Sequence, residues 1–241
     1  MEKRSLCTLQ FASTDSYEEN LRLLLEQIEQ TPSNAVVLAP EVCLTGFDYA
    51  HFEAAALFSL KAVDALLKKA NERIIVLTLI EKKQNGEFFN VAKVLHKGIL
   101  VHEQAKNRLF RLGDEHKYFT PGQEKRVPIF EIDGIRFGLL ICFELRFKDY
   151  WQDLEGADII FVPARWGKNR ADNFTQLVEA LAVMNQCYVM AADASNEENS
   201  AMSRIVSPFG RSSANRNALC LCLAYDQQEI RRMRRYLDVG I

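Results

Sequence analysis

The chain has 241 residues, 48% of them apolar and 26% charged, which is enough for a substantial core in one large domain or two small ones and excludes a disordered chain. A formal charge of −2 and a pI near 6.1 exclude a global attraction to nucleic acid or to an anionic membrane surface, leaving a small molecule as the expected partner. No run reaches the ~20 apolar residues of a membrane span, and Met1-Glu2-Lys3-Arg4 leads into a short apolar stretch without a cleavage site, the pattern of a cytoplasmic protein.

A first strand is expected over 5–11. Ser16 and Glu19 then read as a capping box ahead of Leu21, Leu24, Leu25 and Ile28, whose helical spacing predicts a core-facing helix. A strand over 35–39 is followed by a helical region carrying Leu60, Val63, Leu66 and Leu67 on one side, and 74–80 is extended again. Asn85-Gly86, Lys97-Gly98 and Asp133-Gly134 each sit between β-rich segments and predict tight antiparallel connections, so the sheet is mixed. Beyond them come a helix over 146–154, a strand over 158–163, and a helix face made by Phe174, Leu177, Val178, Leu181 and Ala182. Strands over 188–192 and 219–224 and a polar helix over 226–236 close the pattern. Strands and helices alternate with no repeat and no linker rich in Pro, Gly or Ser, which reads as a single α/β domain over 1–241.

Six cysteines (Cys7, Cys43, Cys142, Cys187, Cys220, Cys222) fall mostly in apolar strand-like segments, a pattern that predicts free thiols rather than a disulfide framework. Cys220 and Cys222 share one strand face with no partner pair in sequence and read as structural filler. His51, His96, His102 and His116 are scattered, so no protein-bound metal is expected. The basic cluster Arg231, Arg232, Arg234 and Arg235 suits the dipole at a solvated helix end better than a nucleic-acid patch.

Cys142 differs from the other thiols in position: it stands where the apolar run 135–141 gives way to the polar sequence Cys-Phe-Glu-Leu-Arg-Phe. A bare thiol with a pKa near ~8.5 is mostly protonated at neutral pH and needs charged helpers. Two other apolar strands also end in ionisable groups, Val36-Val37-Leu38-Ala39-Pro40 at Glu41 and 99–104 near Lys106. A base, a cation and a thiol together can make an acyl acceptor, with the cation holding the charge that develops on the substrate oxygen.

In context these residues are more specific. Glu41 precedes Val-Cys-Leu-Thr-Gly-Phe, Lys106 opens Lys-Asn-Arg-Leu, Glu115 precedes His-Lys-Tyr-Phe-Thr-Pro-Gly, and Cys142 opens Cys-Phe-Glu-Leu-Arg-Phe. With these blocks the chain resembles a carbon–nitrogen hydrolase of the nitrilase superfamily, whose Glu-Lys-Cys triad occurs in this order. The likeness continues through 156–166, 185–189 and Ser207-Pro208-Phe209-Gly210.

The resemblance implies a four-layer αββα sandwich of two mixed sheets flanked by helices. It makes Cys142 the nucleophile, Glu41 the general base, Lys106 the cation beside the oxyanion together with the Phe143 N–H, and Glu115 an additional glutamate placing substrate or Lys106. Nearby positive charge is expected to lower the thiol pKa. The implied reaction is attack on an amide carbonyl, loss of ammonia, and hydrolysis of the thioester, with no cofactor.

Phe-Glu-Leu-Arg-Phe after the cysteine looks like the ω-amidase and Nit-type branch, whose substrates are small acids bearing a terminal carboxamide. Arg146 and Arg165 are candidates to bind the acid, or pair with structural acids; Phe119 and Trp166 line the pocket or pack in the core. At least a homodimer is implied. Leu181 and Met184 replace a charged pair common in the family, plausible as a hydrophobic contact, Glu144 replaces a commoner aspartate, and the chain ends early, which would reduce a C-terminal subunit contact.

Two further readings stand beside the amidase: an N-carbamoyl amino acid or amine hydrolase, and a catalytically silent binding or regulatory member. A papain-like or glutamine amidotransferase site needs a histidine base and, for the latter, a Gly-x-Cys-x-Gly elbow, neither of which is present around Cys142.

Overall fold

In the computed structural model, which describes residues 4–214 and 218–241, the strands sort into two mixed sheets of six. The first contains β1 (Ser5–Leu9), β2 (Val36–Leu38), β3 (Ile74–Lys82), β4 (Phe88–His96), β5 (Ile99–Ala105) and β12 (Cys220–Ala224), in the order β12-β1-β2-β3-β4-β5. The second contains β6 (Phe130–Ile132), β7 (Ile135–Leu139), β8 (Ile159–Ala164), β9 (Tyr188–Asp193), β10 (Arg204–Val206) and β11 (Ser212–Ala214), in the order β11-β10-β9-β8-β7-β6. In each, three parallel strands are extended by antiparallel ones. The Asn85-Gly86, Lys97-Gly98 and Asp133-Gly134 pairs make the β3–β4, β4–β5 and β6–β7 hairpins, with Lys97 and Asp133 themselves left-handed.

Helices α1 (Tyr17–Glu29) and α2 (Phe52–Leu67) cover the outer face of the first sheet; α3 (Lys148–Asp153) and α4 (Ala171–Met184) belong to the second half, and α5 (Gln227–Tyr236) follows β12. The period of two explains how one strand serves two layers. Leu6, Val36, Leu38, Ile74 and Val76 point into the core shared with the second sheet, while Cys7, Leu9, Val37, Ile75 and Leu77 point to the layer under α1 and α2. Both faces are buried, so these strands read as apolar runs rather than alternations.

Several expectations are corrected. Leu60 is 64% exposed: α2 turns Ala55, Ser59, Ala62 and Leu66 inward instead, because the small residues at this spacing let the helix approach β3 closely. The segment after Cys142 is a 3₁₀ turn, Cys142–Arg146, and the helix begins only at Lys148. Only half of the capping box forms: Ser16 Oγ accepts from the Glu19 N–H (3.3 Å), but the Glu19 carboxylate pairs with Arg22. Leu181 is fully buried whereas Met184 is 64% exposed, so they form no hydrophobic pair. β10 and β11 were not foreseen; three residues each are too short for a periodic signal.

The cysteines are not all free. Cys7 and Cys222 are direct cross-strand partners in the β1–β12 ladder and are joined by a disulfide, a pairing invisible across 215 residues of sequence. Met1 to Lys3, part of the N-terminal stretch read above, lie outside the described residues. No helix among the described residues is long and apolar enough to cross a membrane.

Leu66→Ala is expected to cost ~2–5 kcal/mol in urea denaturation, and Leu60→Ala to stay within about 0.5 kcal/mol of the parent. Comparable losses for the two variants would contradict the orientation of α2.

Candidate active site

Glu41, Lys106, Glu115 and Cys142 arrive from four separate stretches of chain. Glu41 follows β2, and its N–H donates to Ala164 O at the end of β8 (3.2 Å), so the ends of the two sheets are joined at the carboxylate. Lys106 follows β5, held by its N–H to Asn90 O (2.8 Å) and by its carbonyl accepting from the Gly122 N–H (2.9 Å). Gly122 suits this contact because a Cβ there would stand 2.8 Å from Ala105 O. Glu115 opens a 3₁₀ turn, Glu115–Lys117, and Cys142 opens the one after β7.

Their side chains form a buried ionic cluster. Lys106 Nζ donates to Glu41 Oε1 (2.6 Å) and to Glu115 Oε1 (2.7 Å), and all three groups are shut off from solvent. Burial alone would push the ammonium down; the two carboxylates outweigh it and hold Lys106 above the ordinary lysine range. Glu115 is pushed up by burial, against the pull of Lys106 and with the repulsion of Glu41, while its Oε2 accepts from the Phe110 N–H (2.9 Å).

Glu41 is used asymmetrically. Its Oε1 also accepts from Asn90 Nδ2 (2.9 Å), whereas its Oε2, though buried, has no hydrogen-bond partner among the described residues. Glu41 and Cys142 line the same cavity, of about 780 Å³. A buried carboxylate oxygen without a donor is costly unless a partner arrives, and in this cavity the proton of the thiol is the group such an oxygen can accept.

The thiol itself departs from expectation. Its pKa is raised well above the usual value, first by burial and then by the Glu41 charge, and Lys106 only partly offsets this. In the resting cavity burial and the Glu41 charge therefore outweigh Lys106 and favour the neutral thiol. Cys142 has φ +49°, and Val42, next to Glu41, has φ +41°, an unusual conformation for a β-branched residue. The Val42 N–H is held by Thr78 Oγ1 (2.7 Å). Both strand ends thus turn sharply where a side chain must leave the sheet for the cavity.

The other expected residues divide. Phe143, Arg146, Arg165 and Trp166 line the cavity. Phe119 does not: it packs with Val42, Phe52 and Ile80 in an aromatic cluster behind the ionic groups, edge-on to Phe47. Arg165 is occupied by Ser13 Oγ (3.1 Å) and Asn196 Oδ1 (3.1 Å), so it braces the loops after β1 and β9. Arg146 stacks on Trp166 (5.1 Å) and has no carboxylate partner among the described residues.

Three residues were missed. Asn90 orients Glu41, and a lone polar residue in the apolar strand Phe-Phe-Asn-Val-Ala was a usable signal. Arg170 lines the cavity over Phe110 (5.2 Å), also without a carboxylate partner among the described residues; in sequence it looked like any loop arginine. Glu144, noted only as a replacement for aspartate, is fully buried and accepts from the N–H groups of Ile141 (2.8 Å), Asn107 (2.7 Å) and Arg108 (3.3 Å). It ties the segment after Lys106 to the turn bearing Cys142.

The family model described as carbon-nitrogen hydrolase matches residues 6–231. The 2-oxoglutaramate amidase of Bacillus subtilis (strain 168) is 32% identical over 221 residues, covering 87% of this chain and 85% of its own length. The deaminated glutathione amidase of Escherichia coli O157:H7 is 30% identical over 214 residues, covering 83% and 81%. Among solved structures, Saccharomyces cerevisiae Nit3, a member of branch 10 of the nitrilase superfamily, superposes with a TM-score of 0.86 at 19% identity, over 99% of this chain and 96% of its own. That likeness speaks for the fold, and the αββα expectation holds.

Burial pushes the Glu144 carboxyl up to about 7 from 4.5, against the three N–H donors that favour its charged form. The fold therefore takes up a proton between those values, and this group's contribution to stability falls as pH rises through the window. Glu144→Gln removes the titration and leaves the Ile141 N–H facing an amide, a loss of ~1–3 kcal/mol. In urea denaturation the gap between parent and variant is expected to narrow from pH 4.5 to pH 8; a gap that widens would mean Glu144 is ionised throughout.

Proposed function

The chain belongs to the carbon–nitrogen hydrolase family, and on that footing we propose that it hydrolyses a small acid bearing a terminal carboxamide, of the ω-amide type, to carboxylate and ammonia through a thioester on Cys142. One observation carries the assignment of roles: the unpartnered Oε2 of Glu41 shares a cavity with a neutral Cys142 thiol, beside an ammonium that cannot discharge. The named activities of the two amidase relatives support the substrate class.

The thiol is protonated at rest, so attack and deprotonation go together. As the Cys142 sulfur bonds to the amide carbon, Glu41 Oε2 takes the thiol proton, and the oxyanion forms against Lys106 and the Phe143 N–H. Glu41 returns that proton to the amide nitrogen as the C–N bond breaks, and ammonia leaves. A water then gives a proton to Glu41 and its oxygen to the acyl carbon; the thiol is released with that proton, and the acid departs. Glu115 keeps Lys106 charged and aimed through both half-reactions, and Glu144 and Asn90 hold the base and nucleophile segments in register.

The second acid group of the substrate is assigned to the rim. Arg146 and Arg170 both line the cavity without carboxylate partners among the described residues, whereas Arg165 is already engaged. A carboxylate entering between stacked guanidiniums recovers charge-assisted bonds in a partly dry setting.

Residues 1–241 are taken as one domain because inner faces of both sheets share one core. Val183, Met184 and Phe209 are exposed, and Val183 lies against Gly210, next to Phe209; this apolar surface is offered for a second copy, and sedimentation velocity should find at least a dimer. We place the protein in the cytoplasm, where a free Cys142 persists.

Acid quenching during turnover of ω-amides of dicarboxylic and 2-oxo acids is expected to add the acyl mass to the Cys142 peptide, and Cys142→Ala to abolish turnover. Preferred release of ammonia from N-carbamoyl amino acids would overturn the substrate class; silence across the panel without labelling of Cys142 would favour a binding protein. Arg146→Ala and Arg170→Ala should each lower kcat/KM for acid-bearing amides ~10–100-fold, the equivalent of one charged hydrogen bond, while leaving a neutral amide of the same length within about threefold. Equal losses on both substrates would remove the arginines from substrate binding.

A further inference from the structure

A second group of reactive side chains lies on the first sheet, outside the amide cavity. The β1–β12 register sets Cys7 opposite Cys222 and Leu9 opposite Cys220, so the three sulfurs occupy one face of a two-strand patch. Cys7 belongs to the apolar layer under α1 and α2, Cys220 packs against that layer, and Cys222 is open to solvent at the sheet edge. The three Sγ atoms all lie within 4.8 Å of one another, and Cys220 Sγ stands 3.5 Å from Cys222 Sγ.

We propose that Cys7, Cys220 and Cys222 form a three-thiolate site for a soft, thiophilic d¹⁰ metal ion such as Zn²⁺ or Cu⁺, available whenever the Cys7–Cys222 bond is reduced. Three sulfurs held about 2.3 Å from a central ion stand about 4 Å apart, close to the spacing this register imposes once the bond is open. Soft sulfur ligands without an oxygen donor select soft ions over Mg²⁺ or Ca²⁺. The entry side is Cys222, and the apolar layer behind Cys7 excludes competing water.

Disulfide exchange within the trio is the less suitable role. Exchange would only move the bond onto Cys220 and leave the trio with a single thiol, too few to hold an ion. The bond instead opens by external reduction. A low-molecular-weight dithiol supplies two electrons and two protons, becomes a disulfide itself, and leaves Cys7 and Cys222 as thiols. An incoming ion then displaces the protons of the three thiols. In a reducing compartment the reduced state is the prevailing one.

The test uses Cd²⁺ as probe and the Cys142→Ala protein as background, which removes the thiol of the amide cavity; Cys43 and Cys187 are buried and common to all arms. After reduction with a phosphine, one equivalent of Cd²⁺ is expected to bind with the ultraviolet thiolate-to-metal absorption of three sulfurs. Cys220→Ser in the same background should weaken binding at least tenfold and remove about a third of that absorption, and the oxidised protein should bind none. No binding after reduction, or stoichiometry and affinity unchanged by Cys220→Ser, would overturn the proposal, as would equal binding by the oxidised protein. Cys220→Ser with Cys142 intact should keep parental amidase activity and melting temperature, so failure here is separable from failure of the amidase reading.

Discussion

The site is organised around one buried ammonium. Lys106 is shut off from water between Glu41 and Glu115, and a desolvated cation is tolerated there only because two short charge-assisted bonds replace its hydration. Such a group is weak evidence for stability, since a packed apolar trio of the same volume could do as well. It is strong evidence for a constraint. Each carboxylate must stay where it is or leave an uncompensated charge in the interior, and each is anchored by a further bond, from Asn90 Nδ2 or from the Phe110 N–H.

That constraint divides the labour among the ionisable groups. Burial and the Glu41 charge raise the Cys142 thiol further than Lys106 lowers it, which favours its neutral form. The free carboxylate oxygen of Glu41 lines the same cavity as the thiol, and in the proposed mechanism it receives the thiol proton while Lys106 faces the oxygen that gains charge. A cluster expected from its composition to ionise the thiol instead holds a raised thiol beside a closed set of ion pairs.

The sheets supply the rigidity this needs. β2, β5 and β7 end together, and the residues that must leave the ladder do so through left-handed turns at Val42 and Cys142, braced by Thr78 and Glu144. Because successive strand residues face opposite ways, the first sheet carries two separate chemistries. Its strand ends serve the amide cavity, while Cys7, Cys220 and Cys222 lie on the helix-covered side at its edge.

Much of this was legible in the chain. Apolar runs ending in Glu41, Lys106 and Cys142 marked the strand ends that meet at the candidate site, and the three Xaa-Gly turns marked the hairpins, because strand burial and left-handed turns both impose local residue choices. The family blocks named the fold, which periodicity alone could not separate from other α/β layers. What only the tertiary structure decided was which groups meet and in what charge state: the raised thiol, the unpartnered oxygen of Glu41, Arg170 lining the cavity beside an Arg165 held by Ser13 and Asn196, Phe119 behind the cavity, and the pairing of Cys7 with Cys222. Burial and coulombic balance depend on neighbours brought from tens or hundreds of residues away, and no local pattern encodes those distances.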